Sequence, residues 1–171
     1  DQSFANQILV FTNPLIGNYG INSEDNETLY PQIKGVICHH VARVPSNWRM
    51  TDSLPNFLAK HHIPGLQGID TRELVRKLRQ YGTLRGIMTD NVTDIKDKIE
   101  QLKQTSPTQN IISKVSTKGS YANPGTKRTV VVLDFGMKNS ILRELNKRNC
   151  NAIVLPYNAS ISEIMTFNPD G

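Results

Sequence analysis

The chain has 171 residues, of which 37% are hydrophobic and 20% charged, with a formal net charge of +5 at pH 7. This composition is typical of a soluble globular protein and excludes wholesale disorder, and no apolar run approaches the ~20 residues of a membrane-spanning helix. The 20 basic residues are scattered, often beside acidic ones. Composition therefore indicates neither a membrane nor a nucleic acid as partner, since nucleic-acid binding favours a dense basic block.

The first third of the chain predicts short β-strands and then a helix. Residues 7–12 form an apolar strand, a loop rich in Pro, Gly and Asn follows, and residues 32–44 form a second β-stretch with Gly35 at a bulge. Thr51 is predicted to cap a helix over residues 52–61.

Both cysteines, Cys38 and Cys150, sit beside apolar sequence and are predicted to be buried thiols, which favours a reducing, cytoplasmic compartment. Cys38 precedes His39 and His40. A strand sends neighbouring side chains to opposite faces, and no second Cys/His cluster completes a site, so we expect no metal here.

The clearest helix start lies at Asp70, with Glu73 three residues later in a capping-box pattern. The pattern predicts a helix over 71–81, ended by Gly82. Its predicted apolar side comprises Leu74, Val75, Leu78 and Tyr81, and its basic side Arg72, Arg76, Lys77 and Arg79. The basic side is interpreted as a solvated surface, although it also suits an acidic partner.

Residues 83–89 predict a further strand and residues 93–104 a polar helix, so the fold class is mixed α/β. Residues 116–128 are dense in Ser, Gly, Asn, Pro and Lys, a linker composition. The predicted organisation is an N-terminal domain over 1–115, this linker, and the start of a second domain over 129–171.

The second domain begins with a strand–helix–strand unit. Its predicted elements are a strand over 130–133, a helix over 138–148, a strand over 152–155, and a helix from Ser160 or Ser162. Parallel strands need helices on both faces, so we expect this unit to be the opening of a larger α/β domain that continues beyond the chain.

Asp134, Phe135 and Gly136 follow the first of these strands. The same three letters coordinate magnesium in protein kinases, but no Gly-rich loop, strand lysine or catalytic loop accompanies them, so a structural turn is favoured. No Ser or Cys stands on a strand-to-helix elbow with an orienting base. We therefore predict no catalytic residue within these 171 positions.

Several segments taken together resemble the small subunit of glutamine-dependent carbamoyl phosphate synthetase, over nearly the whole chain. The matching segments are FTNPLIGNYGIN (11–22), PSNWR (45–49), IPGLQGIDTRELVRKLRQYG (63–82), DFGMKNSILREL (134–145) and NPDG (168–171). The stretch GIDTRELVRKLR is the most specific.

The resemblance implies an N-terminal β/β/α domain, truncated at its start, which contacts a large synthetase subunit, and the opening βαβ of a class I glutaminase domain. In that family a Cys-His-Glu triad releases ammonia from glutamine, and the large subunit uses it with bicarbonate and ATP. The triad would lie beyond Gly171, so this fragment is predicted to be inactive alone. No cofactor is expected in this chain, and ATP and Mg²⁺ are expected on the large subunit. The resemblance is equally compatible with a subunit of arginine biosynthesis and with one of pyrimidine biosynthesis.

Ser3 matches the family's glutamine-contacting serine. The usual pattern there is D-P-S-Y, so Gln2 and Phe4 are departures that bear on how the serine's loop is held. Asn139 comes one place early in the family's FGxKxN run, and Ser140 takes the usual asparagine position.

The alternative interpretation is a self-contained α/β module that binds a nucleotide or nucleic acid through its basic helix, 71–81. It differs from the first interpretation in assigning function to that helix.

Overall fold

The computed structural model describes residues 1–106 and 109–171, which form two compact units. The first unit comprises Asn6–Asp25 and Ile33–Gln109. The second comprises Asp1–Ala5, Asn26–Gln32 and Asn110–Gly171.

Two small parallel sheets lie in the described part of the first unit. Its strands are β1 (Ile8–Val10), β2 (Leu15–Ile16), β3 (Gly35–Ile37), β4 (His40–Val41) and β5 (Gly65–Leu66). One sheet has the order β1-β3-β5, and the other pairs β2 with β4. Val36, Leu58 and Ile63 form the buried centre of the core.

The described residues of the first unit form three helices: α1 (Leu54–Lys60), α2 (Thr71–Tyr81) and α3 (Ile95–Gln104). The prediction for α2 is confirmed, and Asp70 caps it by accepting from the Glu73 N–H at 3.0 Å. The predicted cap of α1 is wrong. Ser53 caps that helix, while the Thr51 hydroxyl donates instead to the Ile21 carbonyl at 3.0 Å.

The β-stretch predicted over 32–44 is divided between β3 and β4, which belong to different sheets. The predicted bulge at Gly35 is wrong, because Gly35 pairs in regular register with Ile8. The glycine instead leaves room for Met88, since a Cβ at position 35 would come within 2.2 Å of the Met88 sulfur.

Residues 83–89 do not form the predicted strand. Side-chain contacts hold this segment in place of ladder hydrogen bonds: Met88 lies against Gly35, and the Arg85 guanidinium donates to the Lys103 carbonyl at 3.2 Å, at the end of α3. Tyr81 also differs from its predicted inward position, with 65% of its surface exposed.

The second unit is a three-stranded sheet with flanking helices. Its elements are a 3₁₀ turn (Gln2–Phe4), α4 (Ile112–Val115), β6 (Tyr121–Asn123), β7 (Thr129–Asp134), α5 (Asn139–Lys147), β8 (Asn151–Pro156) and α6 (Ile161–Thr166). The sheet order is β6-β8-β7, in which β7 and β8 are parallel and β6 is antiparallel to β8. The structure contains both helices and strands, and several of the strands pair in parallel, which confirms the mixed α/β class.

The segment 116–128, predicted as a linker, contains β6 and is anchored at its start. The buried Ser116 hydroxyl accepts from the Tyr157 N–H at 3.0 Å. Polar residues that look like linker by composition here make specific hydrogen bonds, which composition alone does not reveal. The division into domains over 1–115 and 129–171 stays a prediction, and the compact units of the structure follow different bounds.

The strand β8 is the buried centre of the second unit, and Ala152 to Leu155 are all less than 9% exposed. Ser160 caps α6 in a full capping box with Glu163, which decides between the two predicted starts. Several large apolar side chains of this unit are exposed to solvent by 46–80%, namely Phe135, Ile141, Ile161 and Met165.

Candidate functional site

The turn that follows β7 is held by the buried carboxylate of Asp134. One oxygen accepts from the N–H groups of Gly136 and Met137, at 2.9 and 2.8 Å, and the other accepts from the Thr117 N–H at 2.7 Å. Gly136 has φ +96°, a conformation that favours glycine. The carboxylate therefore builds the turn, which is the structural role that the sequence favours.

Ser3 lies in the 3₁₀ turn, against the turn that follows β7. The Ser3 N–H donates to Asp1 Oδ1 at 3.0 Å, and the Ser3 hydroxyl bonds the same oxygen. Asp1 Oδ2 lies 3.0 Å from Lys138 Nζ, at the start of α5. A Cβ on Gly136 would lie 3.1 Å from the Gln2 Cβ, so the two turns are in close contact. The serine is exposed at this position.

Gln2 replaces the proline of the usual pattern and holds the loop through its side chain. Its Nε2 donates to the Thr28 hydroxyl at 2.8 Å. Its Oε1 is buried and has no hydrogen-bond partner among the described residues. The departure therefore supplies a contact that proline does not have.

Glu27 binds the start of α5 with three groups. Its Oε2 accepts from the Ser140 N–H at 2.8 Å, its Oε1 lies 3.2 Å from the Arg143 guanidinium, and its carbonyl accepts from the Asn139 N–H at 3.1 Å. The Ser140 N–H, above all, holds the pKa of Glu27 below its ordinary value, and the cations Arg143 and Lys138 act in the same direction.

Sequence reasoning missed Glu27 because 113 positions separate it from Ser140. The available signal was the start of α5, where Lys138 occupies the cap position and supplies no side-chain acceptor. A helix start without its own acceptor needs one from elsewhere.

An open cavity of about 600 Å³ lies at the carboxyl end of β8. Some polar groups in its wall are paired: Lys118 Nζ lies 2.5 Å from the Ser113 carbonyl, and the Thr117 hydroxyl donates to the Gly119 carbonyl at 2.8 Å. Glu163, also in its wall, belongs to the cap of α6. The cavity is an open recess beside the sheet, and several of its polar groups already bond within this unit.

The two cysteines are both free. Cys38 is buried, and burial raises the pKa of its thiol, whereas Cys150 is half-buried. The predicted separation of His39 and His40 is wrong, because the strand is interrupted between β3 and β4 and their rings lie 4.4 Å apart. Within residues 1–106 and 109–171, no group of three Cys, His, Asp or Glu side chains is arranged to hold a metal.

Comparison with known proteins gives a direct match. The family model described as carbamoyl-phosphate synthase small chain, CPSase domain, matches residues 1–88, just over half of the chain. The chain belongs to this family. The resemblance carried by the sequence segments is thereby confirmed.

Relatives match over all 171 residues. A protein named carbamoyl phosphate synthase pyrimidine-specific small chain, from Lactiplantibacillus plantarum, is 50% identical, and the chain covers 46% of its length. A carbamoyl phosphate synthase small chain from Bacillus cereus is 50% identical with 47% covered, and the pyrimidine-specific small chain of Bacillus subtilis is 46% identical with 47% covered. The chain thus spans about half the length of the curated relatives it matches.

Membership of this family favours the first interpretation of the sequence over the self-contained module. The basic residues of α2 are exposed, and Arg76 pairs with Glu73 of the same helix at 3.5 Å, as on a solvated helix face. No helix in the described part of the chain is long and apolar enough to cross a membrane.

Proposed function

We propose that these residues are part of a subunit that hydrolyses glutamine and passes ammonia to a large synthetase subunit, which makes carbamoyl phosphate from bicarbonate and ATP. The observation that carries the proposal is the family match, together with about 50% identity along the whole chain to proteins named as small chains. ATP and Mg²⁺ are assigned to the large subunit, and the compartment to the cytoplasm.

Residues 129–171 are proposed to open a class I glutamine amidotransferase domain. The unit β7–α5–β8 has the parallel pairing that such a domain needs. Neither cysteine stands on a strand-to-helix elbow, which is where this chemistry exposes a nucleophile. The 171-residue chain is therefore proposed to be inactive alone, with the Cys-His-Glu triad supplied by further residues of the protein.

Ser3 is proposed to contact glutamine. Ligands of parallel sheets bind beside the carboxyl ends of the strands. Ser3 is exposed. It lies near the carboxyl end of β7, because Asp1 and Lys138 join its turn to the start of α5. Because the Ser3 hydroxyl donates its one proton to Asp1, its oxygen can accept from an ammonium or amide N–H group, both of which glutamine carries.

The large subunit is proposed to dock on the first unit. Three apolar side chains, which we call the loop patch, are highly exposed there: Tyr19 (76%), Val44 (82%) and Trp48 (91%). The Ser46 N–H donates to the Asn18 carbonyl at 2.9 Å, which joins the two loops that carry them. Exposed aromatic side chains on braced loops are typical of protein interfaces.

A chimeric subunit tests the function. These 171 residues replace the matching part of the Bacillus subtilis small chain, to which they are 46% identical, and the product is combined with the large subunit of that synthetase. We expect glutamine-dependent carbamoyl phosphate formation, and a higher KM for glutamine after Ser3→Ala.

Two results would overturn the proposal. One is a folded chimera that forms no carbamoyl phosphate from glutamine while the unaltered Bacillus subtilis protein does. The other is ammonia release from glutamine by the 171-residue chain alone that survives Cys38→Ser and Cys150→Ser.

A further inference from the structure

The start of α5 depends on a carboxylate from a distant segment. Lys138, at the cap position, supplies no acceptor for the free N–H groups of the first turn. Glu27 accepts from two of them, at Asn139 and Ser140, and pairs with Arg143 one turn further on. Segment 26–32 is thereby fixed to α5 through both the backbone carbonyl and the side chain of Glu27.

The next residue connects this segment to the loop of Ser3. The Thr28 hydroxyl accepts from Gln2 Nε2 at 2.8 Å, and Gln2 immediately precedes Ser3. On the other side of the loop, Asp1 bonds both the N–H and the hydroxyl of Ser3 and pairs with Lys138. The loop is therefore held to α5 at two points, through Asp1 and through Gln2.

We propose that Glu27 is a positioning residue for glutamine binding: it caps α5 and, through Thr28 and Gln2, fixes the Ser3 hydroxyl beside the turn that follows β7. This inference rests on the proposed role of Ser3 in contacting glutamine. Glu27 acts through this loop and does not itself contact glutamine.

The test uses the complete small subunit that carries these residues, bound to its large subunit. Glu27→Gln keeps the length of the side chain but removes the charge, and Thr28→Val removes only the hydroxyl. Each is expected to raise KM for glutamine by about two- to tenfold, the range that a net hydrogen-bond contribution converts to. The turnover number and the rate with externally added ammonia should stay unchanged.

Glu24→Gln is the matched control. It makes the same chemical change three positions earlier, on a side chain that is 80% exposed and lies 3.9 Å from Arg49. KM for glutamine should stay at the wild-type value in this variant. Amide hydrogen exchange in the same complex should show faster exchange at Ser3 and Ser140 for Glu27→Gln and unchanged exchange there for Glu24→Gln.

The outcomes separate the two proposals. If Ser3→Ala leaves KM unchanged, the role of Ser3 in glutamine binding is wrong, and the inference about Glu27 falls with it. If Ser3→Ala raises KM while the Glu27 and Thr28 variants behave like Glu24→Gln, the inference alone is wrong. A loss of ammonia-dependent rate in the Glu27 variant, with Thr28→Val unchanged, would show a general structural role and also overturn it.

Discussion

At the scale of single residues, the Asp134 carboxylate of the second unit is buried and accepts several backbone hydrogen bonds. It is 7% exposed and accepts from three part-buried backbone N–H groups. An asparagine has one oxygen and an amide group that donates, so it cannot satisfy all three. Leaving a buried donor unsatisfied costs about 1–3 kcal/mol.

We therefore expect Asp134→Asn to destabilise the second unit by about 1–3 kcal/mol. Native-state hydrogen exchange at the β8 amides measures this unit separately from the first. Asp90→Asn, at an exposed position, is the control and should leave that exchange unchanged. Equal exchange in Asp134→Asn and wild type would contradict the structural role of the carboxylate.

At two glycines with positive φ, the cost of backbone strain can be compared with the cost of steric crowding around an added Cβ. Gly136 (φ +96°) and Gly82 (φ +76°) both occupy the left-handed region, but a Cβ at Gly136 would come within 2.9 Å of a Val115 methyl group, whereas Gly82 has nothing within 4 Å. Backbone strain alone costs about 1–2 kcal/mol. Gly136→Ala is expected to lower thermal stability clearly more than Gly82→Ala, and the reverse order would contradict the packing of this turn.

At the scale of elements, the attachment of segment 26–32 to α5 should depend on pH. Hydrogen bonding to the Ser140 N–H lowers the pKa of Glu27 in the folded protein below the ordinary value of 4.5. The unfolded chain therefore takes up the proton first as the pH falls. The stabilisation is fully present above pH 4.5 and is lost as the pH falls through the lower, folded-state pKa.

The expected result is a pH-dependent difference between wild type and Glu27→Gln. Wild type should unfold at a higher denaturant concentration near neutral pH, and the gap should close as the pH falls below 4.5. Thermal or urea unfolding followed across this range measures the gap. A difference that stays constant with pH would show that the ionised form of Glu27 does not stabilise the folded protein.

The elements also show where sequence reasoning succeeds. The helix α2 was predicted to the residue, because its cap, its apolar periodicity and its terminal glycine are all local signals. The strand predicted over 83–89 is wrong, since the conformation of this segment depends on a partner distant in sequence, Gly35 for Met88. The linker over 116–128 stays a prediction, and Ser116 there likewise bonds a distant partner, Tyr157. Local pattern carries no information about such partners.

The same distinction applies to the candidate site. Ser3 became a candidate through resemblance alone, because a serine before a short strand has no specific local signature, and its contact with glutamine stays a prediction. Glu27 was missed, since its partner Ser140 is 113 positions away. The turn at Asp134 was interpreted as structural, because an aspartate two residues before a glycine is a local signal for a turn, and its carboxylate accepts from the Gly136 and Met137 N–H groups.

At the scale of the whole molecule, each of the two units carries the residues of a separate proposal. The second unit holds Ser3 beside the end of a parallel strand, and the first unit presents the loop patch. Arg49 braces the patch from within the first unit, since its guanidinium bonds Asp25 and lies 3.3 Å from the Asn22 side-chain oxygen. Loops fixed in this way lose little conformational freedom when they bind a partner.

We accordingly expect Trp48→Ala to weaken binding of the large subunit without changing the folding of this chain. A central interface tryptophan contributes about 2 kcal/mol or more, which is roughly a 30-fold rise in Kd. Titration of the complete small subunit with the large subunit measures Kd, and urea unfolding checks that stability is retained, as expected for a side chain that is 91% exposed. Tyr81→Ala, which removes another exposed aromatic of the first unit outside the loop patch, should leave Kd unchanged. If both variants bind like wild type, the docking surface lies elsewhere, because a patch whose largest side chain is dispensable is not the centre of an interface.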